Sequence, residues 1–545
     1  IYFSPYFDGV NDIEKMPLMR VDWVEKLLNG EGAFTADACK NLQPAVYTAY
    51  MPTSGKLEIE TPNLEGTAVE TVTKDYDAYG NIIEKMNAAG EIDGVTAVNM
   101  LREYIDKTYG GYYGTDRSNL FIGQNAAWDA DELVALLRCV VANPQTLNGT
   151  DTVQGLFTRE DANNQRRVDM FRLAGHLFGV RGLESRQDYL YVDGDNELKD
   201  GRQEVASYEA MARMHTLVEE GLISQAFING EDVKTQNYLE NDLGFMHYDY
   251  NQTQTLYNDP SQGVFDEGEK YMAVMVPVAR WFDGTDENGV YMRFTESWRS
   301  VKTDGWAISK AGVEGDEGKL NAALGLIDYA FSVQGQITMS YGPDAFIKVK
   351  DASVEVKTWD DVAKKYETFN FNGKQMPVVA DATFAECQTL TGGSYTDYAR
   401  QYLGSTLNGF PKSQAFEYQM TSEIGKKGAA ILSAAISQGV IKHPLLAVNT
   451  SNMWYTSIPT VLPTTAEQSN TLSSYADLTG NFQQSKDGIS VFFNILKDGY
   501  GSISGAENNA AAYADFVKTN WSGAAYLMIK QAQWNQLKTY YDTLN

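Results

Sequence analysis

The stretch from Leu239 to Ser309 constrains this chain more than any other, because it carries two strand signals and a return crossing. It opens on a charged helix end, passes through the short apolar run Leu243-Gly244-Phe245-Met246, and then sets His247, Tyr248, Asp249, Tyr250 and Asn251 in succession. That order predicts a buried strand ending in a polar, aromatic mouth. The next signal, Tyr271 to Val278, is a continuous apolar run broken by Pro277 and followed by a turn rich in Asp, Gly and Asn. Continuous apolar runs suit strands covered on both faces of a sheet. Beyond the turn stand Trp298-Arg299-Ser300 and Asp304-Gly305-Trp306-Ala307-Ile308-Ser309, then a helix over Ala311 to Gln336 with Leu320, Leu324 and Ile327 at apolar positions.

A chain of 545 residues favours more than one lobe and a sizeable core. No run of about 18 apolar residues is present, so no segment reads as a membrane-spanning helix. The formal net charge of −28 argues against nucleic acid, whose phosphates need clustered Lys and Arg. Three cysteines, Cys39, Cys139 and Cys387, cannot all pair, and none has CxxC spacing; Cys139, inside LVALLRCVV, reads as a buried thiol. The chain begins at Ile1 without Met or an apolar leader, as expected if a signal peptide was removed or lay outside this sequence.

Along the chain, a proline-broken aromatic segment leads into a helix starting near Asp22, read as its cap, with Trp23, Leu27 and Leu28 on one face. Gly30 to about Thr115 reads as a loop-rich insertion laid on the surface. In Leu120–Val141, Asp129 and Asp131 sit at a helix start, where carboxylates favour the helix dipole, and Leu133, Leu136, Leu137 and Val140 form the apolar face. Arg166–Gly182 reads as a helix with Met170, Phe171, Leu173, Ala174 and Leu177 inward, and His176 as a core histidine. YLYVDGDNELKDG reads as a hairpin; its Asp193, Asp195 and Glu197 are not followed by the glycine that an EF-hand loop carries at its sixth position. Tyr208–Ile223 is a further helix, with Tyr208, Met211, Ala212, His215 and Val218 at helical spacing.

The order of these pieces resembles the extracellular solute-binding proteins, family 1, of bacterial ABC importers, in particular the sugar-type lipoproteins of Gram-positive bacteria. The resemblance is carried by Arg20, Asp22, Trp23, Lys26 and Leu27, by Glu220-Gly221-Leu222-Ile223, by Gly305-Trp306-Ala307-Ile308-Ser309-Lys310 with Asp328-Tyr329, and by the closing segments from Ser457 onward. It runs from about Pro17 to the C-terminus, interrupted by insertions. It implies a periplasmic-binding-protein-like (type II) α/β fold, two lobes joined by hinge strands with a ligand cleft between them, and N-terminal strands of lobe one missing upstream of this sequence. The expected division is 1–20 as a hinge-proximal segment and 21–275 as lobe two with the insertion at about 30–115. Residues 276–450 then form the remainder of lobe one with the hinge return, and 451–545 form C-terminal helices packing across the lobes. The resemblance further implies an oligosaccharide ligand retained by hinge closure, a two-subunit permease and an ATPase as partners, a lipid anchor on the extracellular face, a monomer, and no cofactor.

Sugars offer hydroxyl edges and apolar ring faces, so their sites need aromatic platforms flanked by carboxylates and amides. The candidates are Phe7, Asp8, Asn11, His247, Tyr248, Asp249, Tyr250, Trp281, Trp298, Arg299 and Trp306, with Trp128, Trp454 and Tyr455 as second choices. Two other classes stand beside this one. A glycoside hydrolase would need paired carboxylates, such as Asp8 with Asp249, at a set separation. GxSxG, HExxH, Walker A and GxGxxG motifs are absent, and four scattered histidines suggest no metal cluster. A glycan- or peptide-binding adhesion protein would use the same body without transport.

Overall fold

The computed structural model describes residues 15–30, 34–35, 38–162, 164–184, 189–251, 254, 257–258, 270–282, 287–296, 307–371, 373–383, 413–443, 457–458, 462, 464–474, 486–501, 508–520 and 523–542. The chain divides into two compact units. The larger takes Lys15–Tyr250, Lys270–Ser297 and Gly428–Asn545; the smaller takes Ile1–Glu14, Asn251–Glu269 and Trp298–Lys427. The two units alternate along the sequence, so the chain passes between them at five places.

The larger unit is built on a four-stranded mixed sheet. Its strands are β1 (Lys15–Arg20), β2 (Gln154–Leu156), β3 (Gly244–Tyr250) and β4 (Tyr271–Ala273), in the order β4-β1-β3-β2. β1 runs antiparallel to both neighbours, and β2 runs parallel to β3. Every residue of β1 and β4 is buried, as the apolar runs require. Pro17 lies inside β1 although proline cannot donate to a ladder. The β4 pairing begins only at Leu18, and Pro17 contributes its carbonyl to Val274 N at 3.0 Å, so the missing donor falls at the ladder's end. The predicted strand after Leu243 is present, and it extends through Tyr250, so the polar residues of the expected mouth are strand residues. The Tyr271–Val278 run forms β4 and then, past Pro277, meets the antiparallel pair Ala279–Trp281 and Val290–Phe294.

Helix α1 (Val21–Asn29) follows β1 without a break and buries Trp23, Val24, Leu27 and Leu28. Asp22 is not its cap: the cap position is Arg20, with no side-chain bond. Asp22 instead receives two bonds from the Arg20 guanidinium, at 2.8 and 2.6 Å. Arg20 is fully covered, also reaches Asp242 at 2.5 Å, and stacks 4.2 Å from the Trp23 ring. The Arg-x-Asp-Trp sequence is thus one lock at the β1–α1 junction. Burial of this guanidinium is offset by hydrogen bonds to Asp22, which leave it more firmly protonated than usual.

The described part of the insertion, from residue 38 onward, is not merely laid on the surface. The hairpin Lys56–Pro62/Val69–Asp75 and the helices Ile82–Ala89 and Gly94–Thr108 bury Ile59, Val72, Ile83, Met86, Leu101 and Ile105. The two helices pack on α2 (Ala130–Ala142), where every residue but Val141 is buried. A helix covered all round is a core helix. The insertion therefore supplies part of the core that α2 needs. The hairpin signal at Asp193–Gly194 is correct, with Leu190–Val192 paired to Leu198–Asp200. The helix Val205–Glu219 turns Tyr208, Met211, Met214 and Leu217 inward, while His215 and Val218 are only half covered.

In the smaller unit the predicted helix over Ala311–Gln336 is three pieces, Lys310–Val313, Glu317–Phe331 and Val333–Tyr341. Ser332 ends one and caps the next through Gly335 N. The core of this unit gathers Ile337, Tyr341, Val362, Tyr366, Met376 and Phe416. Leu324 and Leu326 stay about half exposed, at 48% and 49%. No described helix is long and apolar enough to cross a membrane.

Candidate functional site

The end of β3 where the chain leaves the larger unit collects more charge than any other part of the sheet. β3 and β1 run antiparallel with Lys15 opposite Tyr250, Met16 opposite Asp249 and Pro17 opposite Tyr248, so three of the predicted residues meet the first residues of β1. Lys15 Nζ lies 2.6 Å from Asp169 Oδ1 and 4.4 Å from the centre of the Tyr250 ring. Asp169 opens α3 (Asp169–Leu177), and Arg172, one turn on, shares the same carboxylate oxygen. Burial and the nearby Arg172 push the Lys15 amine below its ordinary value, while Asp169 draws it back.

On the other side of the strand end, Asp249 is fully buried and accepts from Tyr250 N at 2.7 Å. Arg159, one quarter exposed, stands 3.6 Å from Asp249 Oδ2. Arg166 lies 5.5 Å from the Tyr250 ring centre and meets no carboxylate of the described residues within 4.0 Å. The Tyr248 hydroxyl donates to Lys15 O at 3.0 Å and lies 3.1 Å from His176 Nε2. Arg159, Arg166 and Tyr250 are the members that reach solvent.

His247 is a core side chain, 1% exposed, with its ring 4.8 Å from Phe157 and 6.5 Å from Tyr271. Burial lowers both His247 and His176 to about 3, so each is neutral near pH 7. The expectation that His176 is a core histidine is met. Gly244, at the start of the strand, has no room for a side chain: a Cβ there would stand 2.6 Å from the Phe157 ring.

Trp128 and Trp281 lie in packing clusters. Trp128 is 1% exposed beside Phe121, ring centres 6.4 Å apart; Trp281, also 1% exposed, packs with Ala279, Met292 and Phe294. Phe7, Asp8, Asn11, Trp298, Arg299, Trp306, Trp454 and Tyr455 lie outside the described residues. The basic residues of the β3 end were not among the candidates. A signal existed: in RRVDMFRLAGHL the charges of Arg166, Asp169 and Arg172 recur every three residues, on one helical face.

A second polar cluster surrounds the start of α2. Asp129 caps the helix in a reciprocal box with Glu132, which confirms the helix-start reading of Asp129. Lys74, fully buried, pairs with Asp129 and lies 2.8 Å from Glu132. Tyr104 and Tyr109 donate to Glu132 Oε1 at 3.0 and 2.7 Å. Asp131 lies in the first turn, as expected, and also accepts from Tyr47 OH, Asn81 Nδ2 and Met51 N at 3.0, 2.7 and 3.0 Å. Burial, reinforced by Asp129, raises Asp131 to about 6 and Glu132 to about 7. The cluster is sealed from solvent and holds the inserted segment on α2.

Among the described residues no group of three or more His, Cys, Asp or Glu is arranged to hold a metal ion. Near the Asp193 turn, Lys199 Nζ lies 3.3 Å from Asp193 and 2.7 Å from Glu197. Cys139 is fully buried, and burial pushes its thiol up to about 12, as expected for a packed cysteine.

No family model and no curated protein matches the sequence. Solved structures do. The alginate-binding protein AlgQ2, in a structure without calcium ion, matches with a TM-score of 0.50 at 15% identity, over 98% of this chain and 74% of that one. An HMO-binding, ABC-transporter-associated solute-binding protein from Bifidobacterium longum infantis ATCC 15697 gives 0.45 at 14% identity, over 75% of this chain and 70% of its own. The S. pneumoniae ABC-transporter substrate-binding protein FusA, in complex with kestose, gives 0.44 at 14% identity, over 76% and 69%. The fold assignment rests on the first of these, which spans nearly the whole chain. Together with the mixed sheet and abundant helices, it gives this chain the α/β fold of that alginate-binding protein.

Proposed function

We propose that this chain is the carbohydrate-binding component of an ABC importer, acting on the extracellular side of the membrane and capturing an oligosaccharide without chemical change. The observation that carries this reading is the likeness to the alginate-binding protein over 98% of the chain. The alternation of two compact units along the sequence agrees with it, because a chain that passes repeatedly between two bodies can close on a ligand by bending a few residues. Ligand binding then shifts a population of conformations by its differential affinity, and the ligand-bound form is the one a permease recognises. The permease subunits, an ATPase and a lipid anchor are partners and attachments that this role calls for. Tyr250, with Tyr248 and Asp249 behind it, is the described part of the proposed ligand site.

A thermal-shift screen of the purified chain against mono- and oligosaccharides tests the proposal. A ligand at a hundred times its dissociation constant adds about 2.7 kcal/mol to native stability. The expected result is a clear rise in Tm with one glycan class. A cooperative melt that no saccharide moves would overturn the carbohydrate reading.

A further inference from the structure

We propose that the outer face of the antiparallel pair Ala279–Trp281 and Val290–Phe294 is a docking surface for a protein partner, a loop that presents a carboxylate beside an apolar side chain. The proposal rests on the importer reading above and supplies the place where the larger unit meets such a partner.

The two faces of this strand pair differ because strand residues alternate. Ala279, Trp281, Met292 and Phe294 pack together as a small core. Arg280 stands directly opposite Tyr291, so their side chains share the other face. Arg280 is exposed, Tyr291 is half-buried, and Phe282, which follows Trp281, is 54% exposed. The Arg280 guanidinium lies 5.4 Å from the centre of the Phe282 ring.

Two further elements are fastened to this face. Gly179, just past the end of α3, has no room for a side chain, since a Cβ there would stand 2.1 Å from Arg280 O; the glycine lets α3 end against the strand. The neighbouring Phe178 ring meets Tyr50 edge-on at 5.3 Å, and the Tyr50 hydroxyl donates to Arg280 O at 3.4 Å. Arg213, from the helix Val205–Glu219, lies over both rings, 5.1 Å from Tyr50 and 5.8 Å from Phe178, and donates to Thr48 O at 3.3 Å. Tyr50 N is held in turn by Asp131 at 2.9 Å. The surface is therefore preformed, and a partner would have little ordering to supply.

Charge selects the partner. The whole chain has 44 Lys and Arg against 72 Asp and Glu. Yet neither Arg280 nor Arg213 has a carboxylate of the described residues within 4.0 Å, and Arg280 donates no hydrogen bond to a described residue. A guanidinium is a planar fork that takes a carboxylate in two-point contact. Tyr, Phe and Arg are also the residue types that interface centres favour, while Lys, Asp and Glu are depleted there. Guanidinium groups already lie over the Phe282 and Tyr50 rings, so the surface offers donor forks rather than the open aromatic platforms that a sugar ring needs. That balance favours a protein loop over a saccharide.

The test replaces the chromosomal copy of the chain by variants and follows uptake of the saccharide that the thermal screen identifies, beside calorimetric titration of the same purified chains with that saccharide. Arg280→Glu and Phe282→Ser should leave the Tm and the saccharide affinity unchanged and cut uptake by at least about tenfold, as loss of an interface centre does. Arg280→Lys, which keeps the charge without the fork, should fall between. A carboxylate-to-lysine change in a membrane subunit that restores uptake to the Arg280→Glu chain identifies the facing group. If Arg280→Glu lowers the Tm, Arg280→Gln with Phe282→Ser carries the comparison. Uptake unchanged by the variants would overturn the docking surface. Saccharide affinity lost in step with uptake would make this face part of the ligand site, which overturns the proposal and leaves the importer reading intact. A native chain that binds a saccharide but supports no uptake, or that no saccharide stabilises, would remove that reading and this proposal with it.

Discussion

The two charged clusters of the larger unit are built from the same residue types and put to opposite ends. At the start of α2, Lys74 meets two carboxylates, Asp129 and Glu132, while tyrosine hydroxyls bond Glu132 and the neighbouring Asp131, and all of these groups are buried. At the end of β3, Lys15 and Arg172 rest on Asp169, and the outermost two cations stay partly in water. The first arrangement fastens an insertion to the core. The second keeps Arg159 one quarter exposed and Arg166 half-buried. A buried charge is stable only with its partners in place, so the sealed cluster should tolerate no deletion, whereas the open one should lose its outer member Arg166 with little effect on folding.

The sharpest test of that contrast is Lys74→Met. It leaves Asp129 and Glu132 buried without their cation, and the expected loss is about 3–5 kcal/mol, read as a fall in the urea midpoint or the Tm. A loss below about 1 kcal/mol would mean that these carboxylates are protonated or hydrated, and the cluster is not sealed.

The pH dependence comes next. Glu132 is raised from an ordinary value of 4.5 to about 7 in the fold, chiefly by burial. A group whose folded value lies above its unfolded one contributes stability that is full below the unfolded value and lost as pH rises through the folded one. Stability should therefore carry a falling component between pH 4.5 and 7, with Asp131 adding a smaller one up to about 6. Glu132→Gln keeps an acceptor for Tyr104 and Tyr109 and should flatten that slope in thermal melts across this range. An unchanged slope would assign the titration to other groups.

At the open cluster the expected effects are smaller. Tyr248→Phe removes the bond to Lys15 O and the contact with His176 and should cost about 1 kcal/mol, measured by denaturant unfolding. Arg166→Gln should change unliganded stability by less than about 0.5 kcal/mol by the same measurement, because its half-buried guanidinium meets no carboxylate of the described residues and only flanks the Tyr250 ring. A large loss there would make the β3 end a structural network like its counterpart at α2.

Much of the fold could be read in the residues. The apolar run at Leu243–Met246 became a buried strand from Gly244 on, Tyr271–Val278 became buried throughout but strand only over Tyr271–Ala273, the Asp-Gly turn became a hairpin, and Asp129 capped its helix. Each is a local pattern with one physical outcome, burial of a period or closure of a turn. The helix over Ala311–Gln336 was legible as helical but not as three pieces, because Ser332 stops one helix by capping the next, a choice its neighbours decide.

The site was less legible. Tyr248, Asp249 and Tyr250 stood out as candidates because they follow an apolar strand, whereas Lys15, Arg159, Arg166, Asp169 and Arg172 did not, because they gather around the strand end only when the chain has folded. Trp128 and Trp281 suggest sugar platforms by residue type, and packing put both in the core. The insertion shows the same limit, since its polar and apolar residues read as loops until α2 supplies the surface they cover.

What the sequence determined by itself is the set of elements, since hydrophobic period, turn chemistry and caps act within a few residues of one another. What only the tertiary structure decided is which charges are sealed and which stay open. That depends on desolvation and on partners more than a hundred residues away, such as Lys15 with Asp169, and neither quantity is defined until the chain has folded.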